Sequence, residues 1–199
     1  MGISQPTVSR SIKALGDEVV RIGSGPSIHY VLRDTHRGFS SAPVYRITEE
    51  GQVKSLGKLI PVYPDGFVMA QTDNVCLHSD GLPWWLFDMR PQGYLGRAYA
   101  SRFSSELGLP PNPDNWSDTD VIRALLAHGH DAVGNLLIGE QARNHFVEMP
   151  SPVAVDRATA YPSLAQAVSA GEVPGSSAGG EQPKFRSEER RVGKECRSR

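Results

Sequence analysis

Short β-prone runs alternate with turn residues between positions 44 and 70, and this pattern restricts the fold more than any other feature. The runs span 44–48, 55–63 and 67–70, and turns at 49–52 and 64–66 separate them. Turns this short can join antiparallel strands, whereas parallel strands need long crossover connections. The sequence therefore predicts a small antiparallel meander within an α+β fold.

Helical patterns follow the meander. Apolar residues at i, i+4, i+8 and i+12 predict a helix over 96–107, and Ser117-Asp-Thr-Asp120 is typical of a capped start for a helix that continues to residue 128. The apolar run 132–138 predicts a buried strand, and 161–170 predicts a short helix. Adjacent Trp84 and Trp85 favour one buried ring and one more exposed ring.

The N-terminal segment has the pattern of a helix followed by a hairpin. Ser4 is a suitable N-cap and Pro6 suits a first helical turn, while Gly16 predicts the helix end. The β-prone runs 19–22 and 28–32 flank a Gly/Ser/Pro turn. A helix followed by a two-stranded wing predicts a winged helix-turn-helix over residues 1–37, with the polar stretch 34–42 as a domain boundary.

Residues 2–10, GISQPTVSR, resemble the turn and recognition helix of bacterial winged-helix regulators. The resemblance implies that Gln5, Thr7 and Arg10 face base edges, where Gln pairs with adenine, Arg with guanine and Thr with the thymine methyl. By the same likeness Ser9 and Lys13 lie near phosphates, and Arg21 approaches the DNA backbone. Because Met1 stands where the turn would begin, the winged helix is expected to be partial, and DNA is the expected partner of the completed domain.

Composition excludes several protein classes. The chain of 199 residues has a net charge of −1 and 39% hydrophobic residues, so no global field points to nucleic acid or membranes. Its apolar runs are too short to span a bilayer, and we expect no membrane partner. Of two cysteines, Cys196 lies in an unusual C-terminal tail, which favours a reducing, cytoplasmic location for a chain with Cys76 effectively alone.

The glycine-rich stretch 175–185, GSSAGGEQPKF, predicts a phosphate-binding loop. Small residues let backbone N–H groups converge on an anion, and a lysine adds a mobile positive charge. The stretch is not a Walker loop, because Glu181 stands where Lys is required, and a flexible linker is the alternative interpretation. The candidate nucleotide-binding residues are Ser176, Ser177, Gly179, Gly180 and Lys184.

Other motifs carry little catalytic signal. His128-Gly-His130 could place two imidazoles on one face, but zinc needs further ligands that no recognisable spacing supplies, so no metal site is expected. A solvated loop is the favoured interpretation. The Gly-x-Ser-x-Gly and His-Glu-x-x-His hydrolase motifs are absent from the sequence, and we assign no catalytic residue.

The loop resembles the glycine-rich loop of HipA-like serine/threonine kinases, the toxins of type II toxin–antitoxin systems. Residues 86–96 (LFDMRPQGYLG) and 131–139 (DAVGNLLIG) resemble two other landmarks of that family's N-terminal lobe. The resemblance implies a β-rich lobe over 44–185, an ATP-dependent kinase that uses Mg²⁺, a protein substrate and an antitoxin partner. It also implies regulatory autophosphorylation near Ser176 or Ser177.

The family's catalytic Asp and metal-holding residues belong to a later lobe that residues 1–199 do not match. We therefore expect this chain to be an inactive N-terminal fragment that does not bind ATP tightly by itself. Residues 186–199 carry six basic and three acidic residues with one aliphatic, and they resemble a translated sequencing-adapter segment. We predict that this segment is a disordered tail outside the fold.

Three functions remain open from the sequence. The first is a fragment of a HipA-family toxin, kinase-like, with a DNA-binding head. The second is a winged-helix transcriptional regulator with a β-rich sensor domain. The third is a module that docks an antitoxin.

Overall fold

The computed structural model describes residues 5–150 and 156–170, apart from the side chain of Val168. These residues form helices and strands in the following order: α1 (Gln5–Leu15), β1 (Val19–Ile22), β2 (His29–Leu32), β3 (Ala42–Ile47), β4 (Val53–Val62), β5 (Gly66–Gln71), β6 (Cys76–Ser79), α2 (Gly93–Leu107), α3 (Asp118–His128), β7 (Leu136–Ile138), α4 (Glu140–Glu148) and α5 (Arg157–Ser169). Short 3-10 turns cover Trp84–Met89 and Gly129–Asp131.

The central sheet is antiparallel throughout, with strand order β6-β5-β4-β3-β7. This order confirms the predicted meander of β3, β4 and β5, and β6 extends it by one strand that the sequence analysis did not identify. Gly57 lets the backbone of β4 lie close to that of β5. It has a φ of +147°, and a Cβ added there would lie 2.1 Å from the Ala70 carbonyl oxygen.

Strands β4 and β5 are covered on both faces. Leu59 and Phe67 enter the main core, where they join residues of α2 and α3 such as Ile122. Ile60 and Val68 point to the opposite face and belong to a second apolar cluster. Because side chains alternate along a strand, coverage of both faces explains why β5 and the second half of β4 have nearly continuous apolar sequences.

The β1–β2 hairpin supplies the second cover. Val20 and Ile22 are 7% and 4% exposed and pack with Ile60, Val62 and Val68. The helix and hairpin predicted for residues 5–32 are therefore present with nearly the expected bounds, and the hairpin shares a core with the central sheet.

An ion pair fixes the segment that leaves the hairpin. The Arg37 side chain is 8% exposed, and its Nε donates to Asp34 Oδ2 at 2.8 Å. Burial alone would raise the pKa of Asp34, but hydrogen bonds from the His36 backbone and from Arg37, with the positive charge of Arg37, leave this pKa below its ordinary value. Arg37 also donates to the carbonyls of Val62, Pro64 and Gly66, which ties this segment to the turn between β4 and β5.

Local sequence signals define the end of α2 and the start of α3. The capping box at Ser117 and Asp120 is present, and α2 ends at Gly108 in a left-handed conformation with a φ of +62°. Leu95 of the predicted apolar stripe is buried, while Tyr99, Phe103 and Leu107 are half-buried. The structure differs at β7, which has three residues rather than the predicted seven, because a 3-10 turn and a bend precede it.

Candidate functional site

The proposed DNA-contacting side chains are spread over the exposed surface of α1. Gln5, Thr7, Ser9, Arg10 and Lys13 are all exposed, and no residue of α1 is buried. At 100° per residue, Arg10 and Lys13 lie opposite the apolar stripe, whereas Gln5 borders that stripe and Thr7 lies beyond Arg10. The two cationic groups therefore share one side of the helix, where phosphate or base contacts are possible.

The apolar stripe of α1 lies on its other side. Val8 and Leu15 are 42% and 38% exposed, and Ile12 is partly buried. An amphipathic helix normally buries such a stripe, and among the described residues α1 contacts mainly the following 3-10 turn. The polar side of α1 is thus not needed for packing within this part of the chain.

Arg21 lies on the outward face of the hairpin. It pairs in register with Tyr30, and both side chains are exposed. Its neighbours Val20 and Ile22 point to the opposite face and are buried against the sheet. The hairpin therefore holds Arg21 on a surface that the sheet supports from behind.

The predicted nucleotide-binding residues fall outside the described part of the chain. Ser176, Ser177, Gly179, Gly180 and Lys184 all follow residue 170, and the structure gives no geometry for the glycine-rich loop or for the tail 186–199. The loop remains a prediction from the sequence.

A cluster of three histidines lies where α3, the 3-10 turn after it and α4 meet. His128 and His130 meet His145 of α4 beside a cavity of about 320 Å³ that Glu148 and Met149 also line. Sequence analysis named the first two histidines but missed His145, because α4 was not predicted. The segment begins at Gly139 without a capping side chain and buries only Ala142, so its helical signal is weak.

The geometry of this cluster does not favour a metal. Within residues 5–150 and 156–170, no group of three His, Cys, Asp or Glu side chains is arranged to hold an ion. The cluster is instead a packed set of rings, in which His128 stacks on Phe103 with 4.0 Å between centroids and 23° between planes.

An exposed aromatic side chain marks the segment before α2. Trp84 is 75% exposed and Trp85 is only partly buried, so the expectation of one fully buried ring is wrong. Phe87, one 3-10 turn later, is 55% exposed. In the described ranges no helix is long and apolar enough to cross a membrane.

Comparison with known proteins gives a consistent result. A family model described as "YjjJ-like toxin, middle domain" matches residues 39–147, which is more than half of the chain. Toxin YjjJ of Escherichia coli (strain K12) is 36% identical over 189 residues, an alignment that covers 93% of this chain and 42% of that protein. The chain thus spans less than half the length of this curated relative. No solved structure matches the chain significantly.

Proposed function

Because the chain belongs to the YjjJ-like toxin family, we propose that it forms the N-terminal part of a HipA-like toxin, with a DNA-binding head before a kinase-like lobe. The family match over residues 39–147 carries this proposal. It agrees with the resemblance of residues 86–96, 131–139 and 175–184 to the N-terminal lobe of HipA-like kinases.

The DNA-binding head consists of α1 and the hairpin. Support comes from the exposure of Arg10 and Lys13 on one side of a helix that buries nothing. The hairpin follows α1 directly, as a wing follows a recognition helix, and it presents Arg21 outward. In this proposal residues 1–37 belong to a winged helix.

The kinase-like role belongs to the longer protein. In the proposal, the glycine-rich loop holds phosphate oxygens through backbone N–H groups near Gly179 and Gly180, with Lys184 beside them. ATP would supply the transferred phosphoryl group and Mg²⁺ would neutralise its charge. No residue of this chain is assigned to catalysis, and an antitoxin protein and a Ser/Thr protein substrate are the proposed partners.

DNA binding tests the head of this proposal. In the longer protein, a variant with Arg10→Ala and Lys13→Ala is expected to lose most of its affinity for duplex DNA in fluorescence anisotropy. The slope of log Kd against log salt concentration should fall by roughly one unit, because the proposed phosphate contact of Lys13 is removed. The matched control removes two exposed lysines of β4, Lys54→Ala and Lys58→Ala, and should bind like the wild type. Equal loss in both variants would contradict a specific role for α1.

A winged-helix transcriptional regulator is the second candidate, and the exposed polar side of α1 favours it equally. The two functions differ in nucleotide chemistry. A regulator binds DNA and has no use for ATP, whereas the longer toxin should bind ATP and lose that affinity when Lys184 is replaced by Ala. DNA binding without any ATP affinity in the longer protein would favour the regulator.

A further inference from the structure

Three histidines from separate elements meet between α2, α3 and α4. His128 ends α3, His130 lies in the following 3-10 turn and His145 lies in α4. The ring centroids of His130 and His145 are 5.0 Å apart, and those of His128 and His145 are 6.5 Å apart. Phe103 of α2 closes the cluster by stacking on His128.

The packing of these rings suits neutral imidazoles. His128 Nε2, His130 Nδ1 and His145 Nδ1 are buried and have no hydrogen-bond partner among the described residues. A neutral imidazole can leave one nitrogen as a bare lone pair, whereas a protonated imidazole has two N–H donors that both need acceptors. A charge on any of these rings would therefore leave a buried donor unsatisfied.

The charged groups around the cluster do not supply the acceptors that protonated rings would need. Glu106 of α2 is the closest carboxylate, with Oε1 3.8 Å from His128 Nε2, beyond hydrogen-bond distance, and it is 66% exposed. The positive charge of Arg102 of α2 lowers the pKa of His128, and the negative charge of Asp131 raises the pKa of His130. Glu148 of α4 lines the cavity but is exposed to solvent.

Burial lowers the pKa of both His128 and His130, and the neighbouring histidines lower each further. Glu106 and Asp131 offset this only in part, so the net direction is downward. A released or unfolded state then binds protons more tightly than the packed state. The packing is fully stable above the ordinary histidine pKa of about 6.5 and loses stability as pH falls through the lowered values.

Helix α4 is held unevenly along its length. Its first half is anchored by the buried Ala142 and by Glu140, which accepts a hydrogen bond from the Tyr45 hydroxyl. Its second half contains His145, while Val147 and Met149 after it are 61% and 45% exposed. The histidine cluster is thus a main contact for the second half of α4.

We propose that the cluster of His128, His130 and His145 is a proton-operated latch, which holds the second half of α4 against α3 and the 3-10 turn after it when His128 and His130 are neutral and releases it when they are protonated. Electrostatic repulsion between protonated rings would push apart the elements that carry them, and water would reach the rings through the open cavity beside them. The first half of α4, tied to β3 through Tyr45, would stay in place.

Hydrogen exchange measured by mass spectrometry tests the latch in the full chain. After correction for the intrinsic pH dependence of exchange, amides 144–149 should exchange roughly tenfold faster at pH 5.5 than at pH 7.5. Amides of the buried strand β4 should keep their protection. No change at 144–149, or an equal change in β4, would overturn the proposal.

Variants separate proton binding from loss of packing. His128→Phe keeps an aromatic ring against Phe103, and His145→Gln keeps a neutral polar side chain, so the double variant should reduce the pH-dependent change at 144–149 to less than about threefold. His29→Gln, at an exposed position, should behave like the wild type. If a variant is unstable, histidine titration by NMR in the wild type decides the question: His128 and His130 should titrate below the ordinary histidine pKa of about 6.5, and titration of both at or above that value would overturn the latch.

Discussion

At the scale of single residues, Arg37 holds the segment after the hairpin against the turn between β4 and β5. Its guanidinium donates to a carboxylate and to three backbone carbonyls while it lies over the Phe67 ring, 5.1 Å from the centroid. This geometry needs a planar group with several donors at fixed angles. Lysine has the charge but one nitrogen, so it cannot reach the same set of acceptors.

Arg37→Lys is therefore expected to destabilise the protein by roughly 2–4 kcal/mol, because carbonyls and a carboxylate would lose buried charged donors. Urea unfolding followed by circular dichroism measures the change. Arg46→Lys, at an exposed position on β3, is the control and should lie within about 0.5 kcal/mol of the wild type. Similar stabilities for the two variants would mean that the network contributes little.

At the scale of elements, the helices differ in how far their own sequence supports them. The start of α3 has reciprocal contacts: Ser117 Oγ accepts from the Asp120 N–H at 3.2 Å, and Asp120 Oδ2 accepts from the Ser117 N–H at 3.0 Å. The start of α4 has Gly139 and no side-chain cap. The difference explains why α3 could be predicted from its sequence and α4 could not.

Ser117→Ala should lower the stability of the protein by about 1 kcal/mol, since the Asp120 N–H at the start of α3 loses its acceptor, Ser117 Oγ. Ser101→Ala is a suitable control because Ser101 is exposed within α2, where alanine is the better helix former. Thermal unfolding of the two variants should move in opposite directions or show a loss only for Ser117→Ala. An equal loss in both would contradict the capping argument.

At the scale of the whole molecule, the hairpin and the central sheet share a core. Val20 and Ile22 cover one face of β4 and β5, so the surface that carries Arg21 is held in a defined position relative to the family's middle domain. In the proposed toxin, a movement of the sheet would therefore move the DNA-binding head with it. The domain boundary proposed between residues 37 and 44 remains a prediction, although the hairpin before it and the sheet after it share an apolar cluster.

Ile22→Ala should loosen this contact by about 2–4 kcal/mol, because it removes buried methyl groups and leaves a cavity. Hydrogen exchange of the amides in β1 and β2 should then accelerate, while those of β5 stay protected. Tyr30→Ala on the outward face of the same hairpin is the matched control and should leave exchange in β1 nearly unchanged. Acceleration in both variants would show that the hairpin is held by something other than its apolar face.

Much of the fold follows from local chemistry that the sequence displays. Turn residues between β-prone runs define the antiparallel meander, Pro6 and Gly16 bracket α1, and Ser117 starts α3. The strand β6 was missed because Cys76–Ser79 is short and lies at an edge of the sheet, where few apolar residues are needed. The candidate DNA-contacting residues could be proposed because residues 2–10 of one element resemble a recognition helix, and their role stays a prediction.

Element types, their approximate bounds and the family likeness depend on neighbours along the chain, so they were available before any coordinates. The docking of the hairpin on β4 and β5, and the meeting of His145 with His128 and His130, depend on how elements distant in sequence pack. No local pattern reports such contacts, because the free energy that selects them comes from apolar surface buried between elements. The docked hairpin and the proposed latch therefore depend on the packed molecule.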